Sequence, residues 1–111
     1  GEDYLAAVIA ADRPRANWLR KQLGEQVLAL RKGEGLPSSG VILLDLHLAK
    51  GLEFDEVIVP DAQAGAYPDT PLARRRLYTA ISRAMHRVCV LSQGAMTPLL
   101  DGVSHASADN R

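Results

Sequence analysis

Residues His47 to Phe54 read "HLAKGLEF", placing a histidine, a lysine, a glycine and a carboxylate within seven positions. That combination suits a phosphorylated ligand. Gly51 permits a backbone approach that a Cβ would block, and successive amide N–H groups after a strand can face a phosphate oxygen. Lys50 adds a cation beside them, and the Glu53 carboxylate can accept hydrogen bonds from a ribose hydroxyl. The plain alternative is a tight surface turn with a solvated lysine and glutamate.

A second candidate is Arg83, in "LYTAISRAMHR". It falls at the margin of a helical apolar stripe, with Thr79 and Arg76 at i−4 and i−7. An arginine held there by packing can turn its guanidinium sideways, as a transition-state finger must. It can equally lay its stem on the core and leave its head in water. "VILLDL", residues 41–46, is an apolar strand carrying an aspartate, a pattern used to hold magnesium in phosphate-hydrolysing proteins. The partner loop ending Gly-Lys-Ser/Thr is absent from all 111 residues, so Asp45 reads better as a loop-capping or solvated carboxylate. Asp61 in "VIVPD" reads the same way. His47 and His86 have no metal-ligand spacing to a cysteine or a second histidine, so no metal site is expected. Nothing resembles a nucleophile elbow.

These residues need elements to position them. The run Leu5–Ala11 suits a strand that hands over at Asp12 and Pro14 to a helix, with proline in the first turn, where its missing N–H costs nothing. Ala16, Leu19, Leu23 and also Trp18 are expected on that helix's apolar face, with Gly24 closing it. "QVLAL" is expected as a short strand and "RKGEGLPSSG" as a loop. Val41–Leu46 and Glu56–Val59 read as buried central strands. Leu72–Arg87 reads as one helix with Leu77, Ala80, Ile81, Ala84 and Met85 in its stripe. Val88–Leu91 follows as a buried strand, and "TPLL" as a short helical turn. The order β-α-β-β-β-α-β predicts an α/β sheet flanked by helices, in which ligands bind beyond the carboxyl ends of the strands. His47–Glu53 follows one such end.

Composition narrows the rest. The chain has 111 residues, 47% of them apolar, enough for one domain with its own core. Residues 1–101 are expected to form that domain, and the tail 102–111, "GVSHASADNR", to be disordered. Thirteen basic and thirteen acidic side chains cancel. The basic groups nevertheless cluster in "RPRANWLRK", in Arg74–Arg76 and in "RAMHR"; such clusters are either solvated faces or phosphate sites. No window suits a transmembrane span, and the acidic start does not fit a signal peptide. The single cysteine, Cys89, is expected as a buried thiol, which makes a cytoplasmic setting the default.

"LHLAKGLEFDEVIVP" followed by "RRRLYTAISRAMHRVCVL" resembles motifs V and VI of the UvrD/Rep-like superfamily 1A DNA helicases, with the resemblance running from Leu5 to Leu100. It implies a RecA-like α/β lobe of the P-loop NTPase type, mostly parallel and lacking its own phosphate loop. That lobe would be the C-terminal part of the second motor lobe. The text "LAKGLEFD", with Leu48 where UvrD and Rep proteins carry serine, is similar to the HelD branch, the RNA polymerase-associated relatives. By this resemblance Arg83 would reach the ATP γ-phosphate, Glu53 would contact the ribose, and Lys50 and Gly51 would form the turn facing the cleft. His47 would lie near single-stranded DNA, although Asp45 and Leu48 stand where hydroxyl-bearing residues are usual. The phosphate loop, the Mg2+ ligands and the catalytic base would come from the N-terminal lobe of the same protein. The opening glycine also suggests a piece of a longer protein, one that would not hydrolyse ATP alone. Two rivals remain: a non-catalytic module docking on RNA polymerase, and an independent small nucleotide-binding enzyme.

Overall fold

The computed structural model describes residues 3–101. The proposed tail, 102–111, lies outside them. Five strands form one sheet: β1 (Leu5–Ala10), β2 (Leu28–Ala29), β3 (Gly40–Asp45), β4 (Phe54–Val59) and β5 (Ala84–Val90). Their spatial order is β2-β3-β1-β4-β5, and every neighbouring pair is parallel. Parallel neighbours require crossovers, which here carry α1 (Arg13–Leu23), α2 (Leu46–Ala49) and α3 (Pro71–Ile81), while the loop 30–39 joins β2 to β3. All six residues of β1 are buried, which fits a middle strand covered on both faces. On one face Leu5, Ala7, Ile9, Ile42, Leu44, Val57 and Val59 share a core with Leu77 and Ala80 of α3. The connection through α1 runs the opposite way across the sheet, so the right-handed rule puts α1 on the other face, against β1 and β3.

Helix ends follow their sequence signals. Asp12 caps α1 by accepting from the Arg15 amide at 2.9 Å, Pro14 sits in the first turn, and Gly24 ends the helix at φ 60°. Thr70 caps α3 by accepting from the Ala73 amide at 3.1 Å. Thr97 caps a 3-10 turn at Pro98–Leu100, the helical turn expected from "TPLL". Trp18 departs from expectation and is 57% exposed. At about 100° per residue, Ala16, Leu19 and Leu23 fall within one sector and Trp18 lies nearly opposite.

Two larger corrections concern the ends of α3 and β3. The helix expected over Leu72–Arg87 stops at Ile81, and Ala84 and Met85 open β5 instead. Backbone pairing of Ala84 with Phe54 on β4 outweighs the helical spacing of those two apolar residues. β5 is an edge strand with Met85 and Val88 exposed, as is Leu91 just beyond it, and Cys89 is only half-buried, because a single neighbour covers it. Between Phe54 and Glu56, β4 advances two residues while β5 advances three, from Ala84 to Arg87, so a bulge on β5 absorbs the extra one. After Asp45 the chain forms the one-turn helix α2, where the sequence suggested only a turn.

Phe54 is 1% exposed at the start of β4. Phe54→Ala is expected to cost about 3–5 kcal/mol, and Trp18→Ala less than about 0.5 kcal/mol, by chemical denaturation. Comparable losses would contradict this core.

Candidate functional site

Because β3 and β4 are parallel, residues 46–53 must travel from the carboxyl end of β3 back to the amino end of β4. This corrects the expectation that the whole "HLAKGLEF" stretch sits beyond the carboxyl ends. His47 stays near that end, in α2. Asp45 holds the helix there: its Oδ1 accepts from the Leu48 amide at 3.0 Å, and its Oδ2 lies 3.5 Å from Arg13 Nε. It is the capping carboxylate the sequence suggested. Ala49–Leu52 then make a tight turn closed by the Leu52 amide donating to the Ala49 carbonyl at 3.0 Å. Lys50 has φ −59° and ψ 132° and Gly51 has φ +80°, the two central conformations of a type II turn. The glycine is therefore required by its backbone angle. A Cβ at Gly51 would meet no atom within 4 Å, so crowding is not the reason.

The turn delivers Glu53, exposed and making no hydrogen bond or ion pair among the described residues, to the amino edge of the sheet. Arg83 arrives at the same edge from the end of α3. The Phe54 amide donates to the Arg83 carbonyl at 2.9 Å, so Glu53 and Arg83 flank one backbone hydrogen bond. Arg83 is half-buried, its Nε is buried without a partner, and its terminal nitrogen reaches only the neighbouring Ser82 Oγ at 3.4 Å. No carboxylate pairs with it among the described residues. A guanidinium held against the protein with an unsatisfied buried N–H favours an anionic acceptor.

A second cluster lies between α2 and α3. His47 and Lys50 share a groove of about 360 Å³ with Arg75, Arg76 and Thr79, lined also by buried Leu46 and exposed Leu72. No acidic residue lines it. Sequence reasoning placed Arg75 only within a charge cluster, yet Leu72, Arg75, Arg76 and Thr79 have the i, i+3, i+4, i+7 spacing of one helix face.

At the carboxyl ends of β1 and β4, the Ala11 peptide is held from both sides. Its N–H donates to Asp61 Oδ2 at 3.1 Å, and its carbonyl accepts from the Arg76 guanidinium at 2.9 Å. Arg15 Nε lies 3.9 Å from Asp61 Oδ2, whereas Asp61 Oδ1 and the Tyr67 hydroxyl are buried without partners. Burial raises the Asp61 carboxyl above its ordinary range, against the Ala11 amide and Arg15, which pull it down. Burial first, and then the Asp61 charge, raise the Tyr67 hydroxyl as well. No local pattern announces this Ala11 clamp, because it depends on strand order.

Residues 40–91 match the family model described as the UvrD-like helicase C-terminal domain, a span that includes the groove's α2, Glu53 and Arg83. The class of protein this chain is similar to is thus the C-terminal domain of UvrD-like helicases. A particular solved example is the crystal structure of the C-terminal domain of a possible DNA helicase from Lactobacillus plantarum WCFS1, at TM-score 0.79 and 39% identity. The match covers 95% of this chain and 65% of that one, so the chain spans about two thirds of its length. No curated protein matches the chain.

The raised Asp61 carboxyl sets a pH dependence. Within its shifted window the folded protein keeps a proton that the unfolded chain has released, so this group's contribution to stability falls as pH rises. Asp61→Asn removes the titration. The difference in Tm, variant minus parent, is expected to become more favourable to the variant as pH rises through and above the ordinary carboxylate range. A difference constant with pH would contradict the assignment.

Proposed function

We propose that the intact protein is an ATP-dependent DNA helicase or translocase, and that this chain is the C-terminal part of its second RecA-like lobe. The observation that supports the reading is the placement of Glu53 and an unneutralised Arg83 at the same edge, the amino ends of β4 and β5. In this reading the chain forms one wall of an ATP cleft completed by the N-terminal lobe. Glu53 accepts from the ribose hydroxyls, the Lys50–Gly51 turn borders the cleft, and Arg83 turns its free N–H groups toward the γ-phosphate. His47, at the opposite end of the crossover, faces single-stranded DNA.

Mg2+ would neutralise phosphate charge, and its ligands are assigned to the N-terminal lobe together with the phosphate loop and the catalytic base. Among the described residues no three His, Cys, Asp or Glu side chains gather as a metal site. Asp45 and Asp61 already accept backbone N–H groups. Loss of γ-phosphate would release Arg83 and let the lobes reopen, coupling hydrolysis to movement along the strand. No helix among the described residues is long and apolar enough to cross a membrane, and a cytoplasmic setting belongs to the same proposal.

Within that class the HelD branch is favoured. Leu48, where UvrD and Rep proteins carry serine, packs against the core and offers no hydroxyl to a strand. The second reading, a non-catalytic lobe that docks on RNA polymerase, draws on the open edge of β5 with its exposed Met85 and Val88, and the exposed Leu91 that follows it.

One experiment separates the two. In the protein carrying both lobes, Arg83→Ala is expected to lower ATP turnover by about 10³ to 10⁵, or about 4–7 kcal/mol of barrier, while nucleotide still binds. Near-normal turnover rejects the finger, and a parent protein with no turnover favours the docking lobe.

A further inference from the structure

We infer that the face of the sheet beside α1, at the β2 edge, docks an acidic amphipathic helix of a separate protein. The inference stands apart from the nucleotide reading above, because β2 lies at the other end of the sheet from β4 and β5. Ile42 and Leu44 of β3 belong to the core shared with α3, so Val41, Leu43 and Asp45 alternate onto the opposite face. α1 packs there against β1 and β3 and leaves the outer part of that face open. Between α1 and the β2 edge runs a groove of about 830 Å³, with Val27, Ala29 and Leu43 in its apolar lining. A second hollow of about 440 Å³ shares Glu25 and Val27 with it and extends to Val41. Val41 is 39% exposed although β3 is an interior strand. Interior strands of parallel sheets are ordinarily covered by helices on both faces, and here the cover is incomplete.

Charge around that surface selects the occupant. Arg20, Arg31 and Lys32 line the groove, are exposed, and make no ion pair among the described residues. Arg13 already faces Asp45 at 3.5 Å, and Glu25 is the one other carboxylate in the lining. Three uncompensated cations around an apolar floor complement carboxylates flanking an apolar stripe, the pattern of a helix laid in a groove. A nucleic-acid strand fits less well. No aromatic ring lines either hollow for bases to stack on, and Glu25 and Asp45 stand against a phosphate chain. A second copy of this chain is also a poor match, because α1 and α3 contain no aspartate or glutamate. The six residues of β3 span about 20 Å, the length of about 13 helical residues.

The test titrates this chain against a fluorescein-labelled peptide of about 14 residues, a helix of about four turns, and reads anisotropy. Leucines repeat in it at i, i+3, i+4 and i+7, with glutamates on the other face. The parent chain is expected to bind it saturably, with amide shifts at Val27, Ala29 and Val41, and to ignore a counterpart carrying lysine for glutamate. The double variant Arg20→Glu/Arg31→Glu turns two attractive pairs into repulsive ones and is expected to weaken binding about tenfold. Lys21→Glu, on α1 but outside the groove, is expected to change it less than about twofold, and equal melting temperatures will confirm that all three chains are folded. No saturable binding by the parent, equal binding of the lysine peptide, amide shifts on another face, or an equal loss in Lys21→Glu would overturn the inference. So would displacement of the peptide by oligothymidylate at matching concentration, the mark of a general polyanion site. A two-lobed protein that fails to bind a peptide this chain binds would also overturn it, by showing the groove covered from within. The ATPase test of Arg83 probes other residues at the other end of the sheet, so either proposal can fail alone.

Discussion

The hydrogen bond from the Phe54 amide to the Arg83 carbonyl joins the start of β4 to the start of β5. Two chain segments far apart in sequence thereby acquire one fixed relation. Glu53 immediately precedes the donor, and Arg83 itself supplies the acceptor, so the two residues are held at the same edge of the sheet. Neither residue needs a contact with the other to be placed. The sheet ladder places them, and Phe54, buried under the core, keeps the donor from moving. The cost is an unsatisfied buried nitrogen on Arg83, a local penalty of the kind found where a group is kept ready for a ligand.

The same topology sorts charge between the two edges of the sheet. The crossover 46–53 spans them, carrying His47 at one end and Glu53 at the other, with the type II turn between. α3 runs antiparallel to the strands and does likewise. Its first turns bear Arg75 and Arg76 beside α2, and its exit bears Arg83. Arg76 ties the helix to Ala11, whose N–H is in turn held by Asp61. The two edges of the sheet are therefore joined through one helix.

Much of this was legible in the residues themselves. The helix start at Asp12 and Pro14, its end at Gly24, the helical turn at "TPLL" and the apolar strands all rest on local chemistry, and the fold class followed from their order. The "HLAKGLEF" and "AISRAMHR" segments stood out because their polar side chains sit at the limits of apolar runs. What remained hidden depends on partners remote in sequence. Met85 has a helical spacing, yet the ladder with β4 draws it into a strand. The amino-edge position of Glu53 follows from β3 and β4 being parallel, which no local pattern encodes. Arg75 looked like one charge among many until α2 was set beside it. The exposure of β5 reflects its place at the sheet's edge, not its composition.

The central claim is that Glu53 and Arg83 address one nucleotide. A crystal structure of the two-lobed protein with Mg2+ and a non-hydrolysable ATP analogue tests it most directly. The account expects an Arg83 guanidinium nitrogen about 2.7–3.2 Å from a terminal phosphate oxygen, with Glu53 on the ribose of the same molecule. An Arg83 paired instead with a carboxylate of the other lobe, or a nucleotide bound away from the amino ends of β4 and β5, would contradict it.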